Sequence, residues 1–379
     1  MRVVRLTFVT VVAVGLCCLA LRSSRLLAQS APPQATAPKL AEEQFKNIQV
    51  LKGIPAEQLI PTMQFIAASL GVECEYCHVE HANEKDDKKP KRTAREMITM
   101  MMAINKNNFD GHREVTCYTC HRGAANPVGT PLVGDAEPPR QPHQHDAAAA
   151  EPAAPAASDI LAKYLSAVGG AEALHKITSR IQHGNLVSSG EGGGQPTTID
   201  VYSQAPDKRL SAMHMKNGDS ITAFNGAQGW LAIPQRTHIM SAAEVDAARI
   251  DAAFYLAADL PSLYSKFVTV PGEKIDGHDT WLVIGRSEGK PPLRLYFDRD
   301  SGLLLRLVRY AETALGRNPT QLDYADYRAA DGIKIPFRWT LSRPGNNRFT
   351  IQIDKVEQNV PIDASKFTPP PPPPPPPTH

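Results

Sequence analysis

The chain has 379 residues, with 41 Lys and Arg against 39 Asp and Glu and a formal charge of +2. That balance implies neither a nucleic-acid nor a strongly anionic partner, which a one-sided field would signal. The length predicts two domains plus linkers, and the 33 prolines gather in linkers and tail.

Residues 1–30 read as an export signal. Arg2 and Arg5 give the basic start, Leu6 to Leu21 the apolar run, and Ala28-Gln29-Ser30 the small-residue cleavage site. The run is short for a membrane span, although Arg22 and Arg25 behind it keep an uncleaved anchor as the alternative. Leu16 stands before Cys17, where a lipoprotein signal needs a small residue. A periplasmic or envelope-associated location is the expectation.

After a short lead at 31–38, residues 39–134 carry the chemistry. Cys74-Glu-Tyr-Cys77-His78 and Cys117-Tyr-Thr-Cys120-His121 are two copies of Cys-X-X-Cys-His, the pattern that attaches c-type haem. The two thiols add across the haem vinyl groups, and the adjacent histidine faces the iron as proximal ligand. Cys17 and Cys18 fall in the signal, so the four remaining cysteines all lie in these motifs. Zinc is the alternative use of paired CxxC. Zinc ribbons seldom put His directly after the second Cys of both knuckles, and the export signal favours haem. The expected cofactors are two covalently bound haem c groups, held by Cys74, Cys77, Cys117 and Cys120, with His78 and His121 on the irons.

A sixth ligand decides whether substrate reaches the iron. Pro55 to Leu70 predicts a helix with Leu59, Met63, Ile66, Ala67 and Leu70 on one face, closed by Gly71 in the left-handed region. The chain then folds back, so CEYCH faces the helix it just left and Met63 lies opposite His78. A capping box at Thr93–Glu96 predicts a second helix through Met97, Ile98, Met100, Met101, Met102 and Ile104, followed by a turn at Asn105–Gly111. Met97 and Met101 share a face at i,i+4, and spacing alone does not choose between them. At least two of the four methionines there are expected to be packing residues. Helix, turn and CxxCH thus occur twice. The mixed-sign run Glu84–Arg92 between the units is expected to be a solvated loop, with a docking patch as the alternative.

The runs Met63–Val72, Ala94–Met97, Ala103–Asn105 and Val115–Gly123 resemble the cytochrome subunit of photosynthetic reaction centres over about residues 45–130. That resemblance implies a helical methionine as sixth ligand upstream of each motif: Met63 with His78, and Met97 with His121. The family's reaction-centre members carry four haems and this chain has motifs for two, so donation to a photosynthetic pigment pair does not follow. His112 resembles a histidine that reaches another haem there; without that haem it is expected at the surface or beside a ligand. Relatives with this short layout look like general diheme electron carriers.

Residues 135–157 form a Pro/Ala-rich linker, whose His143 and His145 are read as incidental. Residues 158–368 alternate in short runs: Thr198–Tyr202, Lys208–Met213, Leu231–Pro234, Trp281–Gly285, Leu293–Asp298, Leu303–Tyr310, Ile333–Leu341 and Phe349–Lys355, separated by Asn-Gly and Asp-Gly turns. At least eight antiparallel strands are expected, with helices at 159–168 and about 242–259, the latter capped by Ser241 and Glu244. Leu161–Gly170, Phe224–Trp230, Asp276–Trp281, Tyr296–Gly302 and Asp323–Arg328 are similar to the LolA-like class of outer-membrane lipoprotein carriers, which implies a curved half-barrel. Nine prolines at 369–377 lead the 369–379 tail.

The expected architecture is multidomain α + β: a small helical diheme cytochrome c domain, then a curved antiparallel LolA-like sheet with helices. Electron transfer without substrate turnover is the expected function, between a redox donor and acceptor in the envelope. The second domain is expected to dock a lipid, a partner or an outer-membrane surface. A diheme peroxidase with one open haem, and a lipid-binding protein with a redox-sensing haem domain, are the alternatives. His175, His183, His214, His238 and His278 form no catalytic pattern in sequence, and Trp230, Trp281 and Trp339 are expected to pack the sheet.

Overall fold

The computed structural model describes residues 38–127, 154–188, 194–234, 236–343 and 347–370. The expected signal, most of the linker with His143 and His145, and the tail beyond residue 370 lie outside the described residues. No helix among the described residues is long and apolar enough to cross a membrane.

The helical segment opens with α1 (Ala41–Gln44). A 3₁₀ turn at Ala56–Gln58 then leads into α2 (Leu59–Leu70), so the helix expected from Pro55 begins in a tighter turn. Gly71 ends α2 at φ 63°, ψ 39°, as expected. Its lack of a side chain also matters for packing, because a Cβ there would meet the carbonyl oxygen of Gly123 at 2.1 Å. Helix α3 (Cys74–Cys77) and helix α5 (Cys117–His121) are the two motif turns, and α4 (Lys89–Asn108) lies between them. Helix α4 starts four residues earlier than the expected capping box. Pro90 in its first turn has the fixed φ a helix start favours, so Thr93 and Glu96 become interior positions.

Helices α6 (Ala157–Ala167) and α7 (Gly170–His175) precede the sheet. Its strands are β1 (Ser179–Ser188), β2 (Thr197–Gln204), β3 (Lys208–Met215), β4 (Gly218–Asn225), β5 (Gly229–Ile233) and β6 (Arg236–Ile239). Two helices follow, α8 (Ala242–Ala252) and α9 (Leu256–Leu263), where one helix over 242–259 was expected. Ser241 and Glu244 do form the capping box, with the Ser241 N–H donating to Glu244 Oε2 at 2.8 Å. The remaining strands are β7 (Lys266–Pro271), β8 (Thr280–Arg286), β9 (Leu293–Asp298), β10 (Leu304–Glu312), β11 (Arg317–Ala330), β12 (Ile333–Arg343) and β13 (Asn347–Gln358).

All thirteen strands join one antiparallel sheet in the order β6-β5-β4-β3-β2-β1-β13-β12-β11-β10-β9-β8-β7. The chain therefore runs outward from β1 to one edge, crosses through α8 and α9, and returns from the other edge to pair β13 with β1. Helix α8 touches β3, β4 and β5 on one half and β10 on the other, so the sheet curves around it. The concave face buries Val201, Val283, Leu293, Leu295 and Phe297 against helix residues such as Leu260 of α9. A hairpin turn between β10 and β11 leaves this core altogether: Leu315 joins Leu51, Leu59, Phe65, Ile98 and Met101 in the core of the helical segment.

On the opposite face, one polar row crosses five adjacent strands. His183 Nδ1 lies 2.7 Å from Asp200 Oδ1 and its Nε2 lies 3.3 Å from Glu357 Oε1. His214 Nε2 lies 3.2 Å from Asp200 Oδ2 and its Nδ1 lies 2.9 Å from Asp219 Oδ1. Both nitrogens of an imidazole donate only in the protonated ring. The hydrogen bond to Asp219 raises the His214 pKa; desolvation opposes it, and Asp200 adds a smaller rise. Tyr202, which bonds Asp200, and Lys366 over the Tyr202 ring complete the surroundings.

A raised imidazole pKa stabilises the fold below the ordinary imidazole range, and that gain is lost as pH rises through the folded value. Melting temperature should therefore fall as pH rises from about 5.5 to 8.5, and His214→Gln should flatten this dependence. The pair is more than a third exposed, so the effect should be about 0.5 kcal/mol or less, a shift of about one or two degrees. Melting curves across that range for both proteins check it.

Candidate functional site

One helical turn brings the Cys74 and Cys77 thiols, at i,i+3, to the same side of α3. His78 follows as the extended C-cap residue, its N–H bonded to the Cys74 carbonyl at 3.0 Å. Its ring Nδ1 lies 3.0 Å from the Asn83 carbonyl oxygen. Donation from Nδ1–H fixes the ring orientation and leaves the Nε2 lone pair for a metal.

The Asn83 carbonyl is itself anchored. Lys91 is only 9% exposed, and its Nζ donates to Asn83 O at 2.8 Å and Lys85 O at 2.7 Å. It also pairs with Asp86 at 3.0 Å, which pairs with Arg95 at 2.9 Å and accepts from Asn47 Nδ2 at 3.0 Å. Arg95 above all, then Asn47 and Lys91, hold the Asp86 carboxyl far below its usual range. The run expected to be a solvated loop is thus a clamp around the first motif. Alternating charges concealed it, since they read as surface until Lys91 is seen turned inward.

The second motif is built by analogy with different residues. Asn105, 5% exposed, donates to Val115 O at 2.7 Å and accepts from Val115 N–H at 2.9 Å. This two-bond clamp ties the end of α4 to the approach to CYTCH. The Thr116 N–H donates to Thr119 Oγ1 at 3.0 Å and closes the first turn of α5. His121 ends the helix with Nδ1 3.0 Å from the Ala124 carbonyl oxygen. Arg122 at φ 50° and Gly123 at φ 85° reverse the chain so that this carbonyl can reach the ring.

The units interlock more than expected. Gly123 N–H donates to Ser69 O at 2.9 Å, so α2 closes against α5, the second motif, while α3 lies against α4. Each motif was expected to fold back onto the helix it just left.

The methionines separate clearly. Met101 is 7% exposed and packs with Leu315, whereas Met97 at 36%, Met100 at 47% and Met102 at 40% face outward. The expectation that at least two of them pack is corrected: the buried stripe of α4 runs Lys91, Ile98, Met101, Asn105, wide enough for only one. Met63 is half-buried beside the same core. His112 is exposed.

These residues fit haem on three counts. The four thiols are free, and each motif histidine has its Nδ1 taken by a backbone carbonyl. Among the described residues, ten large apolar side chains are exposed and seven of these lie between Ile60 and Tyr118, a concentration that an apolar macrocycle would cover. Zinc fits worse. Burial pushes the Cys77 and Cys117 thiols up, against the thiolate zinc needs, and no three His, Cys, Asp or Glu among the described residues converge on a metal position.

Comparison with known proteins agrees. The family model described as "Photosynthetic reaction centre cytochrome C subunit" matches residues 17–183, extending past both ends of the segment singled out in sequence. The chain is 37% identical over 99 residues to the reaction center cytochrome c subunit of Thermochromatium tepidum, covering 25% of this chain and 24% of that protein. It is 39% identical over 98 residues to that of Roseobacter denitrificans, covering 22% and 26%, and 34% identical over 87 residues to cytochrome c-554 of Chloroflexus aurantiacus, covering 21% of each. The chain thus spans about a quarter of the length of these relatives. Among solved structures, a putative outer membrane lipoprotein-sorting protein domain from Vibrio parahaemolyticus aligns with TM-score 0.40 at 12% identity, over 55% of this chain and 94% of that one. A LolA superfamily protein from Nitrosomonas europaea aligns with TM-score 0.39 at 13% identity, over 57% and 98%.

Asn105→Ala should leave both backbone groups of Val115 without partners and cost about 2 kcal/mol of stability. Denaturant unfolding measures the loss, and peptide-resolved mass spectrometry should find attachment at Cys117 and Cys120 reduced more than at Cys74 and Cys77.

Proposed function

We propose that the chain is an exported c-type cytochrome with two haems, which carries electrons between a donor and an acceptor protein of the cell envelope. The observation that carries this reading is the twofold recurrence of a CxxCH turn whose histidine Nδ1 meets a backbone carbonyl at 3.0 Å. Haem iron supplies a one-electron couple whose potential follows its axial ligands. The protein's part is attachment, orientation and closure. Cys74, Cys77, Cys117 and Cys120 form the thioethers, and His78 and His121 present Nε2 to the irons.

Met63 and Met97 provide the sixth ligands, with Met101 kept for packing. The outward position of Met97 and the burial of Met101 support that choice over the alternative. A thioether on each iron closes it to substrate, so the protein transfers electrons without turnover. The β-rich unit serves as a docking module toward a lipid, a partner or an outer-membrane component.

A pyridine haemochrome assay on matured protein should return two haems per chain; colourless or zinc-loaded material would refute the reading. Met97→Leu should abolish the Met–iron charge-transfer band of one haem, and Met101→Leu should keep both bands while lowering stability by about 1 kcal/mol. Tight cyanide binding by the untouched protein would point instead to an open haem and a peroxidase. The partner of each histidine follows from repeating Met63→Leu and Met97→Leu after Cys117 and Cys120 are replaced by Ala, leaving a single haem.

A further inference from the structure

The concave face of the sheet carries a polar row where apolar residues are expected. Gln358 on β13, Arg180 on β1, Ser203 on β2 and Arg209 on β3 stand directly opposite one another in register and so share one face. Val201, two residues before Ser203, belongs to the concave core, which fixes the face as the inner one. The α8–α9 corner covers the row. Phe254 N–H bonds Pro206 O at 3.0 Å, Tyr255 OH bonds Ile177 O at 3.0 Å, and the Phe254 ring lies 5.1 Å from the Arg180 guanidinium carbon. Arg209 stands 6.0 Å from the ring of Trp339.

Several atoms of this row lack hydrogen-bond partners among the described residues. Arg180 Nε, Gln358 Nε2 and Gln358 Oε1 are buried without a hydrogen-bond partner. Desolvation lowers the Arg180 pKa to about 10, and the charge that acts on it is a second cation, Arg209. Desolvation likewise lowers the Arg209 pKa, with Asp251 and Tyr324 opposing. Asp251, however, is already committed: Arg309 holds both its oxygens, at 2.8 and 2.5 Å. Arg209 therefore shares Asp251 with Arg309 and Arg343. A cation drawn largely out of water without a paired anion is costly for a fold to keep. Arg180 and Arg209 retain partial contact with solvent, so an outside partner can reach them.

We infer that Arg180 and Arg209, with the Gln358 amide, form a binding site for an oxyanion, a carboxylate or phosphate group, on the concave face beneath the α8–α9 corner. Two forked guanidiniums match the geometry of such a group, and the aromatic rings beside them exclude water that would weaken the contact. The ligand is either a free anion or the anionic headgroup of an amphiphile. The site is independent of the haem chemistry.

Calorimetric titration of the full-length, haem-loaded protein distinguishes the sources, with inorganic phosphate, palmitate and hexadecanol as probes. Saturable binding of phosphate identifies a free anion; binding of palmitate without phosphate identifies an amphiphile headgroup. In either case Arg180→Gln and Arg209→Gln should each weaken binding about tenfold or more, as loss of a charged hydrogen bond predicts. The exposed Arg338→Gln should change nothing. The proposal is overturned if neither anion binds below millimolar concentration, if hexadecanol binds as tightly as palmitate, or if the double variant binds normally. Melting gives a readout that does not need a ligand. Arg180→Leu should hold or raise the melting temperature of ligand-free protein, and a fall of several degrees would show a structural guanidinium instead. Unchanged haem content in every variant separates this outcome from the electron-transfer reading.

Discussion

Leu315 is the contact on which the helical segment depends. That segment's hydrophobic cluster has five buried side chains of its own, Leu51, Leu59, Phe65, Ile98 and Met101, and the sixth comes from the sheet. So small a core cannot offset the conformational entropy of roughly ninety residues. The β10–β11 turn closes it, with Gly316 against the Phe65 ring, where a Cβ would collide at 2.2 Å. Arg113 reinforces the joint by pairing with Glu312 at 2.7 Å, and Asn318 Nδ2 donates to Pro61 O at 3.0 Å. Covalent haem would add apolar area where the segment now exposes it. Both supports come from outside the segment's own side chains, and both act on α2 and α4, the helices that carry Met63, Met97 and Met101.

Legibility in the sequence tracked how local each signal was. The eight alternating runs all became strands, and Gly71 and Ser241 ended and began helices as expected, because each signal is contained in a few residues. Strand β1, SRIQHGNLVS, went unread because it carries polar groups on both faces: His183 outward in the carboxylate row, Arg180 and Gln182 inward. Strand β11 was hidden by Pro319 and by charges along RNPTQLDYADYRAA, which its neighbours β10 and β12 tolerate because they bond its backbone elsewhere.

The site was legible to the same degree. The proposed cysteine and histidine roles rest on five consecutive residues in each motif. What anchors the two motifs was not readable, since Lys91 acts through the Asn83 carbonyl that meets His78, and Asn105 through the backbone of Val115, neither of which sequence marks. The choice between Met97 and Met101 likewise depends on Leu315, more than two hundred residues away. Helical spacing puts both methionines on one face; only the docking of the β10–β11 turn makes one of them core.

The two faces of the sheet show why the polar row on the concave side is not merely another network. Outside, His183 and His214 alternate with Glu357, Asp200 and Asp219, so each of these side chains meets a hydrogen-bonding neighbour within the row. Lys355 and Glu357 pair beside it in the same way. Inside, Arg180 and Arg209 share one row, Arg309 holds the Asp251 carboxylate that also acts on Arg209, and desolvation lowers the pKa of both row cations. Evenly mixed signs satisfy a fold without a partner, whereas clustered like charge under an aromatic cover raises the energy of the free protein. That energy is recovered only when an opposite charge arrives from outside, which makes affinity for an anion the physical counterpart of the strain.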